Sequence, residues 1–186
     1  MIHIVVLILL IVLGVSFRAF GFAPVFASLF SGLVLFYGFY VFDRIFKIGF
    51  EKRHYMIMLI IALTGPGLIV VLVQVLFYYD KLLHFVHPIL LSSIVFFIVS
   101  KLKIKRAHAL FLVFFIVVAC FAIFEMIEYS IDLTSDFKMQ GSYSRNIVGA
   151  PVREAILSPI DDTMTDMILG LGGALAYLVY GFIKEV

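Results

Sequence analysis

Residues Ala107 to Ile131 read "AHALFLVFFIVVACFAIFEMIEYSI". From Ala107 to Phe124 the run holds no Asp, Glu, Lys or Arg, and then Glu125 and Glu128 follow within one turn. A helix needs about 20 mostly apolar residues to cross the hydrocarbon core of a bilayer, and this stretch supplies them. The rest of the chain agrees. Its 186 residues are 64% hydrophobic and 14% charged, with a mean hydropathy of +1.18, against roughly 45–50% apolar and 25% charged residues in a soluble domain. A water-exposed surface of that composition would be one large apolar patch, whereas lipid requires it. The sequence therefore predicts an all-α, polytopic membrane protein, a bundle of about six transmembrane helices.

Six windows meet the length criterion: residues 2–17, 20–42, 55–78, 81–100, 107–131 and 161–183, forming a single membrane domain over 1–186 with an outer loop at 132–160. The first is the shortest. It lacks a basic leader and a small-x-small cleavage site, so it reads as a retained helix rather than a signal peptide. Orientation follows the excess of Lys and Arg in cytoplasmic loops. With the N-terminus inside, nine basic residues face the cytoplasm: Arg44, Lys47, Lys52, Arg53, Lys101, Lys103, Lys105, Arg106 and Lys184. Five face outward: Arg18, Lys81, Lys138, Arg145 and Arg153. Both termini of this multi-pass cell-membrane protein are thus expected in the cytoplasm.

That layout brings three polar stripes to one depth at the outer face. Residues spaced by three, four or seven share a helix face, a pattern met by Asp80, His84 and His87, by Glu125, Glu128 and Asp132, and by Asp162 and Asp166 with Thr165 beside them. Ionisable groups within membrane spans are costly to insert and normally face the bundle interior. Carboxylates gathered there need protons or a cation to relieve their repulsion, and imidazole among them suits zinc, iron or manganese. His84, Glu125, Glu128, Asp166, Asp80 and Asp162 are the expected metal ligands. His87, Thr165, Gln140, Arg145 and Arg153 are expected to support the site or touch substrate. Simpler roles stand beside these. A lone histidine is commonly bonded to a carbonyl, Glu125 and Glu128 fit the water line, and Asp161 after "SP" fits the cap of the last helix.

At these residues a resemblance emerges. The segments "YYDKLLHF", "FEMIEYSIDL", "KMQG" and "DDTMTDMILGLGGALA" resemble the YjdF-type inner-membrane proteins, a family without an assigned biochemical activity, and more distantly the sequence is similar to the VanZ-like proteins associated with glycopeptide resistance. The likeness runs from about Tyr79 to Tyr177. It implies a compact multi-helix fold and marks Asp80, His84, Glu125, Glu128, Gln140, Gly141, Asp162 and Asp166 as recurring polar positions. His87 departs from the pattern, as does the insertion of residues 142–158 between the Gln-Gly pair and the last aspartates.

The remaining features are structural by expectation. Gly65-Pro66-Gly67 predicts a kink in the third span, its freed carbonyls met by neighbours. The glycines of "LGLGGALA" predict close helix packing, and Cys120 reads as a packing residue. A net charge of +2, with the basic residues grouped in loops rather than along one stripe, is too small to argue for a nucleic-acid partner, and none is expected. Three functions fit the pattern. The first is a metal-dependent membrane hydrolase acting on a membrane lipid or lipid-linked substrate. The second is a proton- or cation-coupled transporter, and the third a non-catalytic membrane scaffold subunit held together by its acidic cluster.

Overall fold

The computed structural model of the chain describes residues 23–67, 78–134, 140 and 157–184. Among these residues there is helix and no strand: α1 (Ala23–Phe46), α2 (Lys52–Ala62) running into a π turn (Leu63–Gly67), α3 (Tyr79–Val99) with a 3₁₀ turn (Ser100–Leu102), α4 (Arg106–Thr134) and α5 (Pro159–Ile183). Helix is what lipid dictates, because it satisfies backbone polar groups within the segment. Four helices are long and apolar enough to cross a membrane: Phe26–Phe46, Tyr79–Leu102, Arg106–Thr134 and Pro159–Ile183.

The expected count of about six is therefore four among the described residues. Residues 2–17 lie outside them. The expected span 55–78 is helical only to Ala62, where Pro66 removes a donor and Gly65 leaves helical geometry at ψ −110°. Residues 68–77 are outside the description. The chain divides into two compact units with their boundary between Tyr79 and Asp80.

In the first unit, α1 packs on the kink. The Ser28 hydroxyl donates to the carbonyl of Pro66 at 2.5 Å and of Gly67 at 3.2 Å, tying α1 to two carbonyls of the kink. Gly32 permits the approach: a Cβ there would lie 2.5 Å from the Ala62 carbonyl oxygen. The turn into α2 is organised by Asp43. Its carboxylate accepts from the amides of Gly49 and Phe50 and from the Tyr55 hydroxyl. Gly49 sits at φ +71°, a conformation open to glycine at little cost.

In the second unit, α3, α4 and α5 enclose a core of Val99, Ala109, Val113, Val117 and Ala174, flanked by Leu91, Val95, Phe96, Phe114 and Tyr177. The glycines of α5 set its spacing as the sequence predicts. A Cβ on Gly173 would meet the Phe85 carbonyl oxygen at 2.2 Å, and one on Gly181 would meet Leu110 at 2.5 Å. At the same end of the core, Arg106 donates to the Gly181 carbonyl at 3.1 Å. Cys120, expected to pack, is exposed on the outer side of α4.

Gly173→Ala pushes against backbone rather than against a yielding side chain. It is expected to cost on the order of 1–3 kcal/mol, read as a lower melting temperature of the purified protein. A conservative exchange at Gly172, whose Cβ would find Phe85 at an ordinary 3.7 Å, is expected to cost less.

Candidate functional site

The polar stripes converge at one end of the α3–α5 unit. Asp80 and His84 stand in the opening turns of α3, Glu125 in the late turns of α4, and Asp162 and Asp166 in the opening turns of α5. The local sequence explains the placement. In α5, Ser158 caps the helix by accepting from the Asp161 amide at 3.2 Å, and Pro159 takes the first turn, where its missing N–H costs nothing. Asp161 is exposed and accepts from the Ser158 hydroxyl, so the cap of this helix is Ser158 and not Asp161, the residue the sequence suggests. The N-terminal ends of α3 and α5 also favour the carboxylates set in them through the helix dipole.

At the centre stands Lys81, which the charge count alone marks only as an outer positive charge. The Lys81 ammonium donates to Asp162 Oδ1 at 2.5 Å and to Asp166 Oδ2 at 2.6 Å, and lies 3.3 Å from Asp80 Oδ2. Three aspartates from two helices thus share one cation. Two are deeply sheltered, Asp162 at 4% and Asp166 at 2% exposure, while Asp80 is half-buried.

His84 extends the cluster toward α4. Its Nε2 lies 3.6 Å from Asp80 Oδ1 and its Nδ1 3.6 Å from Glu125 Oε1, both beyond hydrogen-bonding reach. Phe121 and Phe124 flank the ring. One turn later Pro88 lacks the amide that would bond the His84 carbonyl. The imidazole is therefore wedged between two carboxylates without being bonded to either.

Several buried atoms consequently have no hydrogen-bond partner among the described residues: His84 Nδ1, both Glu125 carboxyl oxygens and Asp166 Oδ1. Buried polar atoms are nearly always paired, so four orphans in one cluster require an explanation. Asp80, His84 and Asp166 each offer a ligand atom, and these atoms lie within 4.8 Å of one another, close enough for a single ion.

Other expected residues fall at the margin. Glu128 is half-buried one turn beyond Glu125, and no hydrogen bond or ion pair joins it to the cluster among the described residues. His87 is half-buried one turn beyond His84. Thr165 donates to the Asp161 carbonyl of its own helix at 2.7 Å. Its neighbour Thr163 instead accepts from Gln140 Nε2 at 2.7 Å, while the Gln140 amide donates to Asp132 Oδ2 at 3.0 Å. Gln140 is buried and ties the end of α4 to the start of α5 beside Asp162. Arg145, Arg153 and Gly141 lie outside the described residues.

Apolar helices of membrane-crossing length, enclosing a charged cluster that lipid would not tolerate on their outer faces, define an all-helical integral membrane protein. The chain belongs to the family described as "Predicted membrane protein (DUF2238)", which it matches over residues 1–185. No curated protein and no solved structure matches it.

Proposed function

We propose that this is a multi-pass membrane protein whose α3–α5 unit binds one divalent cation, zinc, iron or manganese, through Asp80, His84 and Asp166. Glu125 then orients the His84 ring, and Asp162 holds Lys81. The single observation carrying this reading is the set of orphaned, buried acceptor atoms on His84, Glu125 and Asp166. Three carboxylates surround one ammonium, and Glu125 adds a fourth carboxyl group beside His84, so the cluster attracts further positive charge. Imidazole among the donors favours a transition metal or zinc over an alkali ion. Three protein ligands with a position left over is the arrangement of catalytic rather than structural zinc.

The basic-residue count assigns this end of the unit to the outer leaflet and both termini to the cytoplasm. A cation there would polarise an ester or phosphoryl oxygen of a lipid or lipid-linked substrate, which makes a metal-dependent hydrolase the favoured activity. A transporter needs the polar path to continue. Beyond the site the interior of this unit is Val113, Val117, Leu110 and Ala174, each at most 1% exposed, and such a plug favours surface chemistry over passage.

Elemental analysis of protein purified without chelator is expected to find about one zinc, iron or manganese per chain, the stoichiometry of a single three-ligand site. A protein that holds none, and recruits none on titration, contradicts the proposal.

A further inference from the structure

We infer that Lys81 is a built-in competitor for the cation, so that metal binds only as its ammonium withdraws. The inference rests on the metal-site reading and adds a control to it. Asp80 and Asp166 belong to both sets of contacts: each offers a carboxylate oxygen to the candidate metal position and each also contacts Lys81. Asp166 is divided most clearly, with Oδ2 on the ammonium and Oδ1 orphaned. A divalent ion and an ammonium on shared carboxylates repel at short range in a poorly screened site. One of them must yield, and only Lys81 is tethered to something that can turn.

Its route out is short. Lys81 stands in the first turn of α3 between exposed neighbours, Tyr78 at 73% and Leu82 at 55% exposure. Its side chain is already 12% exposed, and a four-carbon stem lets a lysine head reach water while the helix stays in place. Asp162 accepts from Lys81 and lies outside the Asp80, His84 and Asp166 group, so its contact with the ammonium is one that the metal does not replace.

The test measures zinc and manganese affinity in lipid nanodiscs for the wild type and Lys81→Met. Because Lys81→Met alone leaves the aspartates unbalanced, Asp162→Asn and the double variant Lys81→Met/Asp162→Asn are compared as a second pair. In each pair the methionine form is expected to bind about tenfold more tightly or better, since the like-charge repulsion is gone. In the wild type, saturating zinc is also expected to raise the labelling of Lys81 by an amine-acylating reagent, read by peptide mass spectrometry. Equal affinities within both pairs, or zinc binding with Lys81 labelling unchanged, overturns the inference while leaving the metal site standing. Zinc and manganese binding to no form overturns both.

Discussion

Lys81→Met, in chelator-treated protein, is expected to lower the stability of the α3–α5 unit by about 3–5 kcal/mol, the usual penalty for removing one partner from a buried ionic group. The reason lies in what remains. Asp162 and Asp166 would keep their carboxyl groups in the interior, 4% and 2% exposed, with the ammonium that bridges them gone. The wild-type group is not thereby a large source of stability, because burying the charges cost solvation in the first place. Adding Asp162→Asn and Asp166→Asn to the same chain is therefore expected to restore most of the loss. Thermal unfolding in detergent checks this, with a fall of roughly 10 °C for the single variant. Zinc is expected to raise the melting temperature of Lys81→Met, since a ligand that binds only the folded state stabilises it. An unchanged melting temperature in the single variant would mean that Lys81 does not bridge the aspartates.

The second large effect is on the metal. Asp166→Asn and His84→Ala each remove a proposed ligand and are expected to weaken zinc binding by about 100-fold or more, whereas Glu125→Gln, which alters the carboxyl group proposed to orient the His84 ring once metal is bound, is expected to cost about 10–100-fold. Glu128→Gln and Thr165→Val are expected to change affinity no more than a few-fold, because neither residue is tied to the cluster. That contrast separates a site built on Asp80, His84 and Asp166 from the wider ligand set that helical spacing alone allows. Competition with a fluorescent chelator gives the affinities. Melting temperatures of the same samples separate lost binding from lost folding.

The helices carrying the site were readable because each is a long apolar run with few charges. Their sum was harder to read. Residues 55–78 look like one span by hydropathy, but Pro66 and the non-helical Gly65 end regular helix after Ala62. The glycines of α5 were legible as packing residues, because a row of small side chains has little other use between membrane helices. Cys120 misled for a related reason: hydropathy marks a residue as apolar without saying whether it faces lipid or protein.

At the site, spacing marked the carboxylates and His84 but not their pairing. Lys81 follows Asp80 directly, and adjacent helical residues point about 100° apart, so a pattern search keeps them on different faces. Its flexible stem erases that difference by carrying the ammonium back over Asp162 and Asp166. The adjacent choice between Thr163 and Thr165 was equally hidden. Both flank the aspartate stripe, and only the position of Gln140, eight residues beyond Asp132 on a separate segment, decides which hydroxyl joins the cluster. The available signal for Lys81 was its place as the one Lys or Arg in the apolar stretch 78–91, beside Asp80.

The central claim is that a divalent ion sits among Asp80, His84 and Asp166. A crystal of the protein grown with zinc, with anomalous scattering recorded on both sides of the zinc edge, tests it most directly. A single peak is expected between α3 and α5, about 2.0–2.2 Å from a nitrogen of His84 and from carboxylate oxygens of Asp80 and Asp166, with the Lys81 ammonium displaced from Asp166. A map at saturating zinc with no peak there, and Lys81 still bridging Asp162 and Asp166, would contradict it.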